Sequence, residues 1–242
     1  MGLEAARHLV RLEAAKVILA VRILSKGETA KLSIEETTSR YASLKAFGEK
    51  AKGLMRLDVV VLNAGMYVFE FKEAEEDEET ITVNVVSTML LALLLLPKLR
   101  ETAQKEKVES VLTFTGSFVH KDTPFPERKA EKIFEELAKR EGARMNDRCQ
   151  VSKLIETFCV RELADQITAS KTDGKVIVLI VNPGIVDTAI MRHAPILFSL
   201  VVTVLKRLVS RTAEEGGRTL VHGAEGGEET HGQYLDDCKV GR

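Results

Sequence analysis

Four apolar runs alternate with helical stretches along the whole chain, and this alternation constrains the fold more than any other feature. Each run is rich in β-branched residues and apolar at nearly every position, which is typical of strands buried on both faces. The alternation predicts an α/β fold with a doubly wound parallel sheet. The predicted strands are Lys16–Val21, Leu57–Leu62, Val111–Thr115 and Val176–Val181. The predicted helices are Leu3–Glu13, Lys26–Thr37, Ser43–Gly53, Thr80–Glu106, Asp147–Ala169 and Thr212–Gly223.

Size and charge narrow the class of protein. A chain of 242 residues is long enough for one α/β domain, which we expect to span residues 1–242. The formal net charge of -1 gives no basic surface for nucleic acid or an anionic membrane. The three cysteines have no zinc-like spacing, so no metal site is expected. An odd number of cysteines without a secretory leader favours a reducing, cytoplasmic location.

Three further segments stand out by composition. The apolar runs Val83–Leu96 and Pro195–Leu205 are both shorter than the roughly 20 residues of a membrane-spanning helix. The first is interpreted as a buried helix, and the second as a substrate lid or a weak membrane contact. Glu70–Glu79 contains seven carboxylates and one lysine, which predicts a solvated loop leading into a helix N-terminus.

Small and polar residues follow three of the predicted strands. Asn63-Ala64-Gly65 comes directly after the second strand, and Ser117 follows the third in Thr115-Gly116-Ser117. The fourth strand ends in Asn182-Pro183-Gly184-Ile185-Val186-Asp187-Thr188. The carboxyl ends of parallel strands share one edge of a sheet, where open α/β folds bind nucleotides. An Ala-Gly step also lets a flat cofactor approach the backbone.

Two predicted helices carry polar residues that need an explanation. Asn84 interrupts the apolar sequence ITVNVVS, and a buried amide requires hydrogen-bond partners. Cys149 and Lys153 are four residues apart near the start of a long helix, so both project from the same face. The alternative for this pair is a surface lysine beside a buried thiol.

The ordered set of these motifs resembles the short-chain dehydrogenase/reductase family. The order is NAG, a helical asparagine, a serine, a helical lysine and PGxVxT, and the resemblance covers nearly the whole chain. Its last part, Arg211–Val240, is similar to the retinol-dehydrogenase-like and fungal secondary-metabolism branches. The resemblance implies a Rossmann-like fold and an NADP-dependent oxidoreductase.

The resemblance also implies roles for individual residues. Ser117 would bind the substrate carbonyl, Lys153 would hold the nicotinamide ribose, and Asn84 would anchor a water relay. Arg22 follows the first predicted strand, where an arginine pairs with a 2′-phosphate and favours NADP over NAD. The other residues expected to line the cofactor are Gly2, Asn63, Ala64, Gly65, Pro183, Gly184, Val186 and Thr188.

The sequence departs from the family at its N-terminal part. The glycine-rich loop is absent except for its last glycine, with Met1–Glu4 running straight into a helix, and the strand before it is missing. Lys26–Arg40 continues almost directly into Tyr41–Gly53, without the expected third strand. We therefore expect a sheet that lacks its first strand and its third, in a sequence that is N-terminally incomplete.

The third departure concerns the catalytic residues, because Cys149 stands where the family has tyrosine. A thiol is acidic enough, but its side chain is far shorter than a phenol, so a loss of activity is expected. Cys149 beside Lys153 is alternatively a nucleophile of lowered pKa. Tyr41–Lys45 also matches YxxxK but opens the wrong helix, and Tyr67 is a candidate substitute acid.

The functional hypothesis is an NADP-dependent oxidoreductase that interconverts an alcohol and a carbonyl on a small hydrophobic molecule in secondary metabolism. The alternative is a catalytically impaired pseudoenzyme with a binding role. A lyase or isomerase that uses the same pocket is a weaker third hypothesis. By analogy with family dimers, the helix that carries Lys153 is expected to form a homodimer.

Overall fold

The computed structural model describes residues 1–14, 16–18, 20, 40–188, 190 and 209–241. Its α-helices are α1 (Gly2–Arg11), α2 (Arg40–Lys52), α3 (Glu79–Ile81), α4 (Thr88–Glu106), α5 (Ile133–Leu137), α6 (Arg148–Ala169) and α7 (Ala213–Ala224). Its strands are β1 (Val59–Leu62), β2 (Glu73–Ala74), β3 (Asp77–Glu78), β4 (Ser110–Thr115), β5 (Val176–Asn182), β6 (Tyr234–Asp236) and β7 (Lys239–Val240).

Among the described residues, five strands form the central sheet in the order β1-β4-β5-β6-β7. Within this sheet β1, β4, β5 and β6 are parallel to one another, and β7 runs antiparallel to its neighbour β6. Every residue of β4 and β5 is buried, as their continuous apolar sequences predict, whereas β1 is mostly half-buried. Within the described ranges, β1 has a partner strand on one side only. The predicted α/β fold with a parallel sheet is confirmed.

Helices cover both faces of the sheet, so it is doubly wound. On one face, Leu99 of α4 and Val160 of α6 pack against Leu112, Phe114 and other residues of the sheet. On the opposite face, α1 and α7 bury Ala5, Leu220 and Val221 against the alternate residues of β4 and β5. Side chains at successive strand positions point to opposite faces, so each strand contributes to both cores.

The first apolar run lies inside a helix that agrees within one residue with the predicted helix Thr80–Glu106. Helix α3, a π-helical segment (Thr82–Ser87) and α4 continue one another over the 28 residues Glu79–Glu106. This helix is long and apolar enough to cross a membrane, which corrects the expectation that the run is too short. Ala92 and Leu99 are nevertheless completely buried against the sheet, in agreement with the interpretation as a buried helix.

One predicted strand is wrong over its described residues. Of Lys16–Val21, residues 16–18 and 20 are described, and none of them belongs to a strand. A strand requires a neighbour with which it exchanges backbone hydrogen bonds, and no described residue pairs with these four. The predicted helix Lys26–Thr37 and the apolar run Pro195–Leu205 lie outside the described residues.

The acidic run also differs from its prediction. Residues 73–78 form a small hairpin of β2 and β3, and Glu78 is completely buried. Its carboxylate accepts hydrogen bonds from the backbone N–H groups of Thr80 at 2.9 Å and Ile81 at 3.3 Å, and so caps α3. A solvated loop is therefore wrong for Glu78, because free N–H groups at a helix start need an acceptor.

Glycines bring α7 close to the rest of the molecule. A Cβ added at Gly217 would lie 2.9 Å from the backbone nitrogen of Ala5 in α1. One at Gly223 would lie 2.5 Å from Cγ2 of Val181 and 3.2 Å from Cγ2 of Thr113. The packing distance between α7 and the sheet therefore depends on the absence of a side chain at position 223.

We expect Gly223→Ala to lower the free energy of unfolding by about 1–3 kcal/mol, because the added methyl overpacks the interface with β4 and β5. Urea denaturation followed by circular dichroism measures this loss. Gly53→Ala is the matched control, since a Cβ there meets only Lys50 O at an ordinary 3.5 Å. Equal stabilities of the two variants would contradict the packing of α7 against the sheet.

Candidate active site

Three strand ends meet at the carboxyl edge of the sheet. Because β1, β4 and β5 are parallel neighbours, the residues that follow Leu62, Thr115 and Asn182 lie at the same edge. Asn182 connects them: its Oδ1 accepts from the backbone N–H groups of Phe118 and Gly184, each at 3.2 Å. Its Nδ2 donates to Asp236 Oδ1 at 2.8 Å. This asparagine fixes the loop after β4 relative to the loop after β5.

Lys153 is buried and points at the end of β4. Its Nζ donates to the carbonyl oxygen of Thr115 at 2.7 Å and to Glu156 Oε2 at 2.7 Å. A Cβ added at Gly65 would lie 3.8 Å from this Nζ and 3.5 Å from Asn84 Oδ1. The NAG turn, Asn84 and Lys153 therefore meet at one point. The alternative of a surface lysine is wrong.

Asn84 lies in the π-helical segment and is completely buried. Its Oδ1 accepts from Met66 N at 2.9 Å, and its Nδ2 donates to Met66 O at 3.0 Å and to Ser152 Oγ at 3.0 Å. The amide thus holds the backbone directly after the NAG turn and ties it to α6. The hydrogen-bond partners that a buried amide requires are present.

Ser117 is half-buried and lies two residues beyond Thr115, whose carbonyl accepts from Lys153. Its backbone is extended, with φ -161°, and it starts a short 3-10 helix, Phe118–Asp122. Its Oγ accepts a long hydrogen bond of 3.4 Å from Val119 N. The serine and the lysine are therefore at the same end of β4, and no acceptor among the described residues takes the Ser117 hydroxyl hydrogen.

The start of α1 lies beside the NAG turn. A Cβ at Gly2 would lie 2.8 Å from Asn63 Nδ2, and Asn63 Oδ1 is buried without a partner among the described residues. A Cβ at Gly216 would lie 2.9 Å from Met1 Sδ and 2.7 Å from Val186 Cγ2. Gly2, Asn63 and Val186 are therefore gathered at the N-terminus of α1, where free N–H groups favour an anion.

Four other predicted cofactor residues have separate outcomes. Gly184 has φ +77°, and a side chain there would lie 3.4 Å from the guanidinium of Arg211. Pro183 and Thr188 lie in the same loop after β5. Arg22, predicted to pair with a 2′-phosphate, lies outside the described residues.

A buried arginine precedes Cys149, and the sequence did not single it out. Arg148 Nε lies 3.7 Å from Glu78 Oε2, and its Nη1 lies 3.8 Å from Glu127 Oε1. Burial raises the pKa of Glu78, while the hydrogen bonds from Thr80 and the charge of Arg148 oppose that rise. The pair joins the acidic hairpin to the start of α6, but no sequence signal distinguishes Glu78 from its acidic neighbours.

Tyr67 packs against the start of α6. Its hydroxyl donates a long hydrogen bond of 3.5 Å to the carbonyl of Asn146, and its ring stacks on Phe69 with centroids 4.8 Å apart. Burial raises the pKa of this phenol, and Cys149 adds to the rise. Tyr67 is thus a protonated phenol beside the helical turn that carries Cys149.

Comparisons with known proteins identify the family, although no family model matches the chain. It is 42% identical to the short chain dehydrogenase atnD of Emericella nidulans, over 98% of this chain and 80% of that protein. It is 40% identical to the short chain dehydrogenase/reductase dmxR8 of a Cryptosporiopsis species, over 100% of this chain and 79% of that protein. The chain belongs to the short-chain dehydrogenase/reductase family.

Solved structures agree with a short-chain dehydrogenase/reductase fold. A 3-ketoacyl-(acyl-carrier-protein) reductase of Brucella melitensis, complexed with NADH, superposes with a TM-score of 0.52 at 16% identity, over 81% of this chain and 72% of that chain. A short chain dehydrogenase of Burkholderia cenocepacia, in complex with NADP, has a TM-score of 0.52 at 18% identity, over 81% of this chain and 70% of that chain.

This short-chain dehydrogenase/reductase is shorter than its relatives inside the aligned region. The alignment with the Cryptosporiopsis protein runs over 260 positions although this chain has only 242 residues, so at least 18 positions have no counterpart here. The loss of the first and third strands of the sheet stays a prediction.

Cys149 lies one helical turn before the lysine of this short-chain dehydrogenase/reductase. Burial raises the pKa of its thiol to about 11, Lys153 lowers it, and the carboxylates of Glu156 and Glu78 raise it further. The thiol is therefore protonated at neutral pH. This argues against the alternative of a nucleophile with a lowered pKa, because the reactive form is the thiolate.

We expect iodoacetamide at pH 7.5 to label Cys238 well before Cys149. Cys149 is buried and protonated, whereas Cys238 is only partly buried. Mass spectrometry of tryptic peptides over time gives the two rates. Labelling of Cys149 should rise as the pH approaches 11. Faster labelling of Cys149 than of Cys238 at pH 7.5 would restore the nucleophile hypothesis.

Proposed function

We propose that this chain is an NADP-dependent oxidoreductase that interconverts an alcohol and a carbonyl on a small hydrophobic molecule in secondary-metabolite biosynthesis. The proposal rests on the approach of Lys153 Nζ to the NAG turn at Gly65 and to the end of β4, beside Ser117. At one sheet edge, a serine hydroxyl can donate to a carbonyl oxygen and an ammonium can donate to a ribose hydroxyl. The dehydrogenase and reductase names of the relatives support the reaction class.

The residues present fit the nicotinamide half of the cofactor. Gly65 leaves the backbone open beside Lys153, so a flat ring can approach it. Asn63 Oδ1 is a buried acceptor without a partner among the described residues, at the side of the α1 N-terminus. NADP, when bound, supplies or accepts the hydride. The choice of NADP over NAD rests on Arg22, and solved neighbours include complexes with NADH and with NADP.

The chain's own groups bind and orient the substrate. We assign Ser117 Oγ to the substrate oxygen, as a donor that polarises a carbonyl. Lys153 has three N–H groups, of which Thr115 and Glu156 accept two, and we assign the third, which has no acceptor in the part of the chain that the structure describes, to a ribose hydroxyl. Asn84 holds the NAG turn in place through Met66. Tyr67 is the candidate proton donor on this side of α6.

One observation favours the second candidate function, a pseudoenzyme that binds nucleotide or substrate without hydride transfer. The Cys149 thiol is short, buried and protonated, so it neither reaches a substrate oxygen nor exchanges protons readily near neutral pH. General acid–base catalysis contributes about 10²–10⁴-fold to a rate, and this is the contribution that a cysteine at position 149 would fail to supply.

We expect Cys149→Tyr to raise kcat by about 10²–10⁴-fold, because a phenol at this position restores a proton donor within reach of the substrate. NADPH oxidation over a panel of ketones measures the rate, and NADPH fluorescence measures binding. Tyr67→Phe is the matched phenol control and should abolish the residual activity of the parent chain. Nucleotide binding without turnover in the parent and in Cys149→Tyr would favour the pseudoenzyme, and no NADPH binding would reject the oxidoreductase and a nucleotide-binding pseudoenzyme.

The remaining proposals concern assembly and location. We propose a single domain over residues 1–242 that acts as a cytoplasmic homodimer and pairs through α4 and α6. A groove of about 590 Å³ runs between these helices and is lined by apolar side chains including Leu96, Leu163 and Ile167. Leu93 at its rim is 52% exposed. An apolar surface of this kind supports contact between two copies.

We expect Leu93→Glu to convert the dimer to a monomer, because a carboxylate would be buried where the two copies meet. Size-exclusion chromatography with light scattering gives the mass. Phe134→Glu is the control, since Phe134 is 44% exposed on α5, outside this groove. A parent chain that is monomeric at micromolar concentration would reject the homodimer.

A further inference from the structure

Glu156 is a fully buried carboxylate beside the active-site lysine, and none of the family motifs quoted above includes it. It lies three residues after Lys153 on α6, so the two side chains share one helix face. Its Oε2 is 2.7 Å from Lys153 Nζ, and only 1% of Glu156 is exposed. A carboxylate this far from water requires a partner, and the ammonium is that partner.

Two acceptors hold the Lys153 ammonium from different elements. Thr115 O belongs to the end of β4 and Glu156 Oε2 to α6, each at 2.7 Å from Nζ. The side chain is thereby fixed against the edge of the sheet, because two of its three N–H groups are directed before any ligand arrives. A neutral residue at position 156 would leave the ammonium free to rotate and its charge without compensation.

We propose that Glu156 is the positioning residue of the site: it holds the Lys153 ammonium against the Thr115 carbonyl and directs one of its N–H groups toward the cofactor ribose. Glu156 also offsets the electrostatic effect of the Lys153 charge on position 149. The ribose contact rests on the function proposed above. The electrostatic effect on position 149 does not depend on it.

Other charged and titratable groups surround the pair. Glu78 comes from the acidic hairpin and Tyr67 from the loop after β1, and both act on Cys149. Arg148 lies on the same helix and pairs with Glu78, and Cys159 is affected by Glu156. Burial raises the pKa of Glu156, and the charge and hydrogen bond of Lys153 oppose that rise. Lys153 is therefore the partner that favours the ionised form of this carboxylate.

The first test is a pH titration of the Cys149 thiol in a chain that also carries Cys159→Ser and Cys238→Ser. The absorbance of the thiolate is the readout. We expect Glu156→Gln to lower the thiol pKa from about 11 by about one unit or more, because the ammonium is then uncompensated. Thr157→Val is the matched control: Thr157 is buried, donates to Lys153 O at 2.8 Å and carries no charge. An unchanged or raised thiol pKa in Glu156→Gln, or an equal fall in Thr157→Val, would overturn the proposal.

The second test separates the two halves of the nucleotide by calorimetry. We expect Glu156→Gln to weaken NADPH binding about tenfold, which corresponds to about 1.4 kcal/mol. The binding of adenosine 2′,5′-bisphosphate should stay unchanged, because only NADPH has the nicotinamide ribose. Equal weakening of both would indicate a merely structural role. If neither binds the parent chain, the proposed function fails, and the thiol titration alone decides the role of Glu156.

A further variant keeps the proposal testable if Glu156→Gln does not fold. Glu156→Gln leaves a buried ammonium, which is strongly destabilising, whereas Lys153→Met with Glu156→Gln removes both charges. If the single variant does not fold, we expect the double variant to fold, which would support the pair as one electrostatic unit. Failure of both to fold would overturn the proposal, because Glu156 would then act independently of Lys153.

Discussion

The contact between the Lys153 ammonium and the Thr115 carbonyl joins the sheet to the helix that carries the site. Thr115 is the last residue of β4, and Lys153 lies in the second turn of α6, so one hydrogen bond of 2.7 Å sets the helix against the sheet edge. Because the charge is buried, Glu156 must accompany it. This buried pair lies close to Gly65, Asn84 and Cys149.

Buried polar groups elsewhere support the same helix. Asn84 ties the NAG turn to Ser152, and Glu78 both caps α3 and faces Arg148 at the start of α6. Each group is expensive to bury alone, and each is paired across two segments distant in sequence. On the opposite face, α7 approaches the sheet closely because Gly223 has no side chain. Buried polar pairs thus support α6 on one face of the sheet, in addition to the apolar core there, and Gly223 sets the close packing of α7 on the other face.

Much of the fold follows from local sequence. The apolar runs at β1, β4 and β5 and the long helices around them have distinct periodicities, and these elements were predicted within a few residues. Strand β6 was missed because three residues flanked by polar positions carry no periodic signal. The predicted strand at Lys16–Val21 failed over its described residues, because strand formation depends on a neighbour as well as on apolar composition.

The sequence by itself determined the family, the parallel sheet, and the order in which Asn63, Asn84, Ser117 and Lys153 appear along strand ends and helices. These features are local patterns of residue type, and parallel strands necessarily place their carboxyl ends together. Only the tertiary structure decided that Glu156 pairs with Lys153, that Glu78 rather than its acidic neighbours is buried, and that the Cys149 thiol stays protonated. Those outcomes depend on burial and on charges brought together from distant segments, which a linear sequence does not specify.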